Sequence, residues 1–244
     1  MKKVYSFFIT LPVFLIFLIS CNADQEPVPA IHDNHFSSAL SKVGTQSPDN
    51  IANPYDLAGK IHNEIFDAYF ETNSLPQTIS GIIDRVDVIS KTNTNFIGLG
   101  DGIYNVLTPN RASYILSNSG SEVPSIFNNA AISVRARNSL KSFIESLLIL
   151  CESEQDYALI YKYISDYENL VIHDSLFSQQ DKKMLLTTTS IARFSASKKR
   201  RPKPNTDTDW EVNIFHVVGS IEGMSQSTSA AITSAVSLGI AGNQ

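Results

Sequence analysis

The sequence predicts an all-α protein: an irregular helical bundle preceded by a signal peptide and a flexible tether, with a small-residue-rich C-terminal helix. Three observations predict it. Apolar residues recur at three- and four-residue intervals through most of the chain after Asn53. Helix-start signals stand ahead of those runs, at Asn53-Pro54, Thr108-Pro109, Ser153-Glu154-Gln155-Asp156 and Ser178-Gln179-Gln180-Asp181. No alternating apolar–polar run of strand type competes with them.

The elements follow in order. Asn53 suits an N-cap, Pro54 the first helical position, and Asp56 the positive end of the helix dipole. Tyr55, Ala58, His62, Ile65 and Tyr69 then share one face, and this helix is expected to end near Asn73. A second helix is expected from Pro76 to Ser90, with Ile79, Ile82, Ile83 and Val86 turned inward. Lys91 to Gly102 is rich in Thr, Asn and Gly and predicts a loop. Thr108-Pro109 opens the next helix. Ser125 to Glu152 is one long periodic stretch through Ile126, Ala130, Val134, Leu140, Ile144 and Leu147. The two Ser-x-x-Asp sequences have the form of capping boxes. The first precedes Ile160, Tyr163, Ile164 and Tyr167, and the second precedes Met184, Leu185, Ile191 and Phe194.

The amino terminus has the place and flanks expected of a cleaved export signal. Lys2 and Lys3 precede an apolar run, Phe7 to Ile19, that is too short to span a bilayer comfortably. Leu18-Ile19-Ser20-Cys21 resembles the lipobox of bacterial lipoproteins. The resemblance implies cleavage before Cys21, diacylglycerol on its sulfur and acylation of the new amine, which together hold a protein stably at a membrane. The expected organisation is therefore a signal peptide over 1–20, a tether over 21–52, a helical body over 53–197, a basic and proline-containing linker over 198–209 and a C-terminal helix over 210–244. Asp24 and Glu26 behind the lipid cysteine resemble the surface-export signal of Bacteroidota lipoproteins.

Composition excludes some classes. With 43% hydrophobic and 18% charged residues the chain belongs with globular rather than disordered proteins. A formal net charge of −5 gives no reason to expect a nucleic-acid partner. With Cys21 acylated, Cys151 has no second cysteine to pair with, so stability must come from the core. The basic block Lys198 to Lys203 has the character of a solvated linker, with contact to anionic headgroups as the alternative.

In the tail, Gly219, Gly223, Ser227, Ala231, Ala235 and Gly239 fall at a strict interval of four, resembling a glycine zipper. On a helix such a row is a ridge without side chains, against which another backbone comes close. Packing on the body or on a copy of the chain, insertion into a membrane, and a poorly ordered tail are the three readings of it.

Chemistry is sparse. HExxH, GxSxG, Walker A and dinucleotide fingerprints are absent, and neither cofactor nor metal is expected. His62 is the natural catalytic candidate, with Asp56 or Glu64 as helper, but its i+3 and i+4 neighbours are Ile65 and Phe66, so no ligand pair forms on the helix. A histidine on an apolar face is more often a core residue whose nitrogens are satisfied, here by Asn53, Tyr55, Asp56, Asn63 or the tail. His32-Asp33-Asn34-His35 offers at most a weak metal site within the tether.

Asn53-Pro54-Tyr55-Asp56, Gly59 and His62-Asn63, then Ser190-Ile191-Ala192-Arg193-Phe194-Ser195, Trp210 and the glycine-rich tail, resemble a group of Bacteroidota lipoproteins of unknown function. Lys198 to Lys203 stands where that group is expected to be more aromatic. The resemblance implies an outer-membrane, lipid-anchored helical protein and assigns no catalytic residue. A non-enzymatic protein that binds a partner or itself is the leading expectation. A hydrolase using His62 and a membrane-active protein using the tail are the alternatives.

Overall fold

Long stretches of helix in this protein have no solvent-facing side. Helix α8 (Gln179–Ala196) is buried continuously from Met184 to Ser195, and α10 (Thr228–Ala241) from Thr228 to Ile240. A helix covered all round carries no polar stripe and must sit at the centre of its domain. The computed structural model describes residues 46–71, 74–153, 156–198 and 209–243, and the side chains among them except those of 209–213. The expected signal peptide, Cys21, the stretch from His32 to His35 and the basic block after Lys198 lie outside the described residues.

Among the described residues the secondary structure is all-α, with no strand. Around the two central helices stand α1 (Asp56–Phe70), α2 (Ile79–Thr92) and the short α3 (Thr94–Ile97) on one side. On the other are α4 (Pro109–Ser117), α5 (Ser119–Asn129), α6 (Val134–Ser153), α7 (Tyr157–His173) and α9 (Asp209–Met224). The core divides accordingly. Ile61, Ile65, Ile82 and Val86 pack with Ile191, Ile232 and Val236, while Ile115, Leu140 and Ile164 pack with Leu185, Leu186, Val218 and Leu238. Helices α8 and α10 thus contribute to both clusters. Each such side chain withdrawn from water favours the fold by ~1.5–3 kcal/mol.

Several helix ends follow the expected signals. Thr108 accepts from the Arg111 N–H at 3.2 Å with Pro109 at the first helical turn. Ser178 and Asp181 form a reciprocal capping box, at 3.1 and 3.0 Å. Other ends differ from the expectation. Helix α1 starts at Asp56 rather than at Pro54, because the Asn53 side chain makes a turn instead of a cap: its Oδ1 accepts from the Tyr55 N–H at 2.8 Å. The helix closes at Phe70. Helix α2 begins at Ile79, capped by Thr78 rather than opening at Pro76. The expected loop after Lys91 contains α3, capped by Asn93. The long periodic stretch from Ser125 is two helices. The chain is extended at Ala130, and α6 restarts behind Ser133, whose hydroxyl accepts from the Ala136 N–H and whose own N–H is held by Asp181. Ser153 does not cap α7; its hydroxyl closes α6 on Ile149 and Leu150, and Asp156 caps α7 through the Ala158 N–H.

The boundaries of the tether and linker also move. Residues 46–52 belong to the body: the Tyr161 hydroxyl donates to the Asp49 carbonyl at 2.9 Å, and Asn50 reaches the interior. At the other boundary Lys198 forms an ion pair with Asp67 of α1.

The tail is not one helix but an antiparallel hairpin, α9 and α10, turning at Ser225–Ser227. Ser227 leaves the ridge and becomes the N-cap of α10, accepting from the Ala230 N–H at 3.1 Å. The remaining small residues face each other across the hairpin. Gly219 lies against the backbone of Ser234 and Ala235, Gly223 against Ala230 and Ala231, and Gly239 against the His216 ring. The four-residue interval therefore brings the two halves of one tail together. The turn is secured from outside. Gly100 and Gly102 take positive φ, 69° and 71°, and between them the Asp101 carboxylate accepts from the Ser229 N–H at 2.7 Å. Glu222 pairs with Arg111 of α4 at 2.6 Å.

A Cβ on Gly223 would collide with the Ala230 carbonyl, whereas one on Gly120 of α5 would meet nothing within 4 Å. Gly219→Ala or Gly223→Leu is expected to destabilise the monomer by ~1–3 kcal/mol or more through overpacking. Gly120→Ala is expected to be neutral or to stabilise by up to about 1 kcal/mol. Urea unfolding of the three variants against the parent chain checks the contrast, and a larger loss at Gly120 than at Gly223 would contradict this packing.

Candidate functional site

The two sequence stretches singled out earlier, Asn53 to Asn63 and Ser190 to Ser195, meet along the contact of α1 with α8. Gly59 makes the approach possible, because a side chain there would collide with Phe194 and Ser190. Its N–H donates to the Ser190 hydroxyl at 3.1 Å, and that hydroxyl donates to the Asp56 carbonyl at 2.9 Å. Polar groups are gathered at both ends of this seam.

At one end lies an ion cluster. Arg193 and Glu168 are both fully buried. The Glu168 carboxylate accepts from Asn50 Nδ2 at 2.6 Å, Asn53 Nδ2 at 2.9 Å, Thr189 Oγ1 at 3.0 Å and Arg193 Nε at 3.2 Å. Arg193 also pairs with Asp56, whose other oxygen accepts from the Asn50 N–H at 3.2 Å. Burial acts to lower the guanidinium pKa, but Glu168 and Asp56 outweigh it and the net shift is upward, so Arg193 stays charged. The rings of Phe194 and Tyr161 flank it at 5.4 and 5.8 Å.

At the other end are two histidines. His62 Nε2 stands 2.8 Å from His216 Nδ1 of α9, the rings edge-on at 80°. His62 Nδ1 lies 3.1 Å from Asn63 Oδ1, and Asn63 Nδ2 donates to the Phe194 carbonyl at 3.0 Å. Phe66 stacks on the His62 ring. Both imidazoles are sealed, with relative exposures of 1% and 2%. Burial and the neighbouring His216 hold His62 well below its ordinary pKa. Burial likewise lowers His216 to about 4, the Ala235 backbone working the other way.

The catalytic candidates from sequence, His62 with Asp56 or Glu64 as helper, are turned to different partners. Asp56 is engaged by Arg193, His62 is closed off from solvent, and Glu64 turns to α3, where Asn93 and Asn95 donate to it at 2.9 Å each. A general base must reach its substrate, and His62 reaches only protein. Among the described residues no group of three or more His, Cys, Asp or Glu is placed to hold a metal.

Comparison of the chain with protein-family models, with curated proteins and with solved structures found no match. The residues themselves carry the functional reading.

Sequence reasoning missed Glu168, His216 and Asn50, and gave Arg193 no role although it stands in the Ser190 to Ser195 stretch. One signal was present: Glu168 falls on the inward face of α7 at the helical spacing of Ile160, Ile164 and Val171. An open groove of about 550 Å³ between α6 and α7 was also not foreseen. Ser139 and Tyr167 meet there at 3.0 Å, Arg135 bonds Asp174 at 2.8 Å over the Phe177 ring, and Leu170 stands largely exposed beside them.

Removing one member of the ion cluster leaves a buried charge without its partner, which costs ~3–5 kcal/mol. Arg193→Met and Glu168→Leu are each expected to lose about that much. The double variant Arg193→Met/Glu168→Leu is expected to lose less than the sum of the two single losses, read from a double-mutant cycle in urea. Strict additivity would show that the two residues do not act on each other.

Proposed function

We propose that this chain is a lipid-anchored cell-envelope protein that binds rather than catalyses. The observation that carries the anchoring is Leu18-Ile19-Ser20-Cys21 behind a short basic and apolar leader. No described helix is long and apolar enough to cross a membrane, so acyl chains on Cys21 would be the attachment. The non-catalytic part of the reading is supported by the bonding of the polar seam. Asp56, His62, Asn63, Glu168 and Arg193 are each engaged by other groups of the same chain, and all but the half-buried Asp56 are closed off from solvent. The hydrolase alternative would need His62 open to solvent. The membrane-active alternative would need an exposed tail, whereas α10 is enclosed by α1, α2, α8 and α9. The groove between α6 and α7, apolar in the main with hydrogen-bonding groups at its rim, offers a surface for the bound partner.

Cys21→Ser is expected to move the protein from the membrane to the soluble fraction of its cells, and mass spectrometry of the parent chain is expected to find Cys21 acylated. Retention of the variant in membranes, or an unmodified Cys21 in the parent, would overturn the anchoring. A photoreactive residue at Leu170 is expected to crosslink to an envelope component in intact cells, while the same residue at Tyr114 on α4 is not.

A further inference from the structure

One end of the bundle gathers helix termini from distant parts of the chain. Asn53, ahead of α1, donates through its side chain to the Leu186 carbonyl of α8 at 3.0 Å. The first turn of α8 receives the start of α6, where Asp181 accepts from the Ser133 N–H at 2.7 Å. It also holds the end of α7, where Lys182 donates to the Ile172 carbonyl at 2.6 Å. Ser220, near the end of α9, donates to the Thr188 hydroxyl of α8 at 3.2 Å. The loop ahead of α4 is pinned here twice, by Asp101 on the Ser229 N–H of α10 and by Arg111 on Glu222 of α9. Helices α1, α4, α6, α8 and α10 therefore start at this end, and α7 and α9 finish there.

The connections at this end carry bare aliphatic side chains. Ile51 and Ile103 are each 102% exposed, Leu176 is 67% exposed, and Val134, the first residue of α6, is 66% exposed. Among the described residues, the exposed large apolar side chains outside helices are Ile51, Ile103 and Leu176, and all three stand here. The turn under Ile51 is held firmly. The Asn53 N–H donates to the Asn50 carbonyl at 2.9 Å, and both asparagine side chains are tied to Glu168. Four aliphatic tips on four separate connections leave a surface whose burial has still to be gained, and such surfaces mark interaction sites.

The route of the chain points to the occupant. The described body begins at residue 46, five residues before Ile51. From Cys21 to residue 46 the chain advances 25 residues, at most ~90 Å when fully extended. That reach lets any side of the body touch the bilayer, so the surface of the body decides which side does. Separate tips suit a lipid interface, which yields around each of them, whereas a protein partner needs one continuous complementary patch. The charges at this end are mixed, Lys182 and Lys183 against Asp49 and Asp101, so attraction to anionic headgroups does not set the contact.

We propose that Ile51, Ile103, Val134 and Leu176 form a membrane-docking face, whose aliphatic tips enter the interfacial layer of a phospholipid bilayer and seat the body with this end down. The inference rests on the reading that the body is held at a membrane, and is independent of the chemistry that holds it there.

The test uses the full mature chain, residues 21–244 with Cys21→Ser, held by an N-terminal hexahistidine tag on phosphatidylcholine vesicles that contain a nickel-chelating lipid. Acylation is then not needed, and its absence from Cys21 in cells would count against the anchoring alone. An environment-sensitive fluorophore is attached to Ile51→Cys, Ile103→Cys or Leu176→Cys, with the equally exposed Ile149→Cys near the far end of α6 as control, Cys151 being buried. The three tip probes are expected to brighten on the vesicles and to be quenched by spin-labelled acyl chains, in ~0.5 M salt as in dilute buffer. The Ile149 probe is expected to do neither. Ile51→Glu with Ile103→Glu is expected to lower the docked-to-free ratio read at position 176 by ~10-fold or more. These side chains are exposed, and an unchanged urea midpoint checks that the variants keep the fold. Equal quenching at all four positions would overturn the docking face, as would quenching that requires anionic lipid. Tip probes that brighten with protein concentration in the absence of vesicles would overturn it too, since the end would then be a contact between proteins.

Discussion

A carboxylate with no access to water must be answered from within the protein, and Glu168 sets that demand here. Two asparagines from the turn ahead of α1, and a threonine and an arginine of α8, all converge on it. Arg193 then needs Asp56 as well, since one carboxylate and one guanidinium leave donors over. The result fixes α1, α7 and α8 and the residues ahead of α1 relative to one another in a way that apolar contact alone would leave freer. The polar residues that look like chemistry in the linear chain are, in space, the joints of the fold.

The same economy of volume governs the tail. A hairpin of two closely approaching helices has little room for side chains at its contact, and glycine, alanine and serine supply that room. Packing two backbones close together at the centre also explains why α10 is apolar or small on every side and carries no charge.

The all-α class and most helix positions were legible in periodicity and caps. The Ser178–Asp181 box and the Thr108-Pro109 start formed as their chemistry dictates. The breaks were harder. Ser133 and Ser227 restart helices inside stretches whose periodicity runs on, and one serine is a weak signal among so many. The site was legible only in half. Tyr55 and His62 pointed to a buried seam where a partner segment must meet them, but the partner of His62 lay 154 residues away, as the partner of Asp56 lay 137 away. No local pattern encodes a pairing at that separation. Glu64 was misleading because a step of two residues along the helix from His62 puts it on another side, where Asn93 and Asn95 take it up.

Helix α10 comes after the other nine described helices in chain order and yet occupies the middle of the domain. Each earlier segment would leave the ribosome, and cross any membrane in its way, with the cavity for that helix still vacant. Stable structure therefore waits on synthesis of the last stretch. A chain cut short near residue 225 would leave α1, α2, α8 and α9 without the helix they enclose.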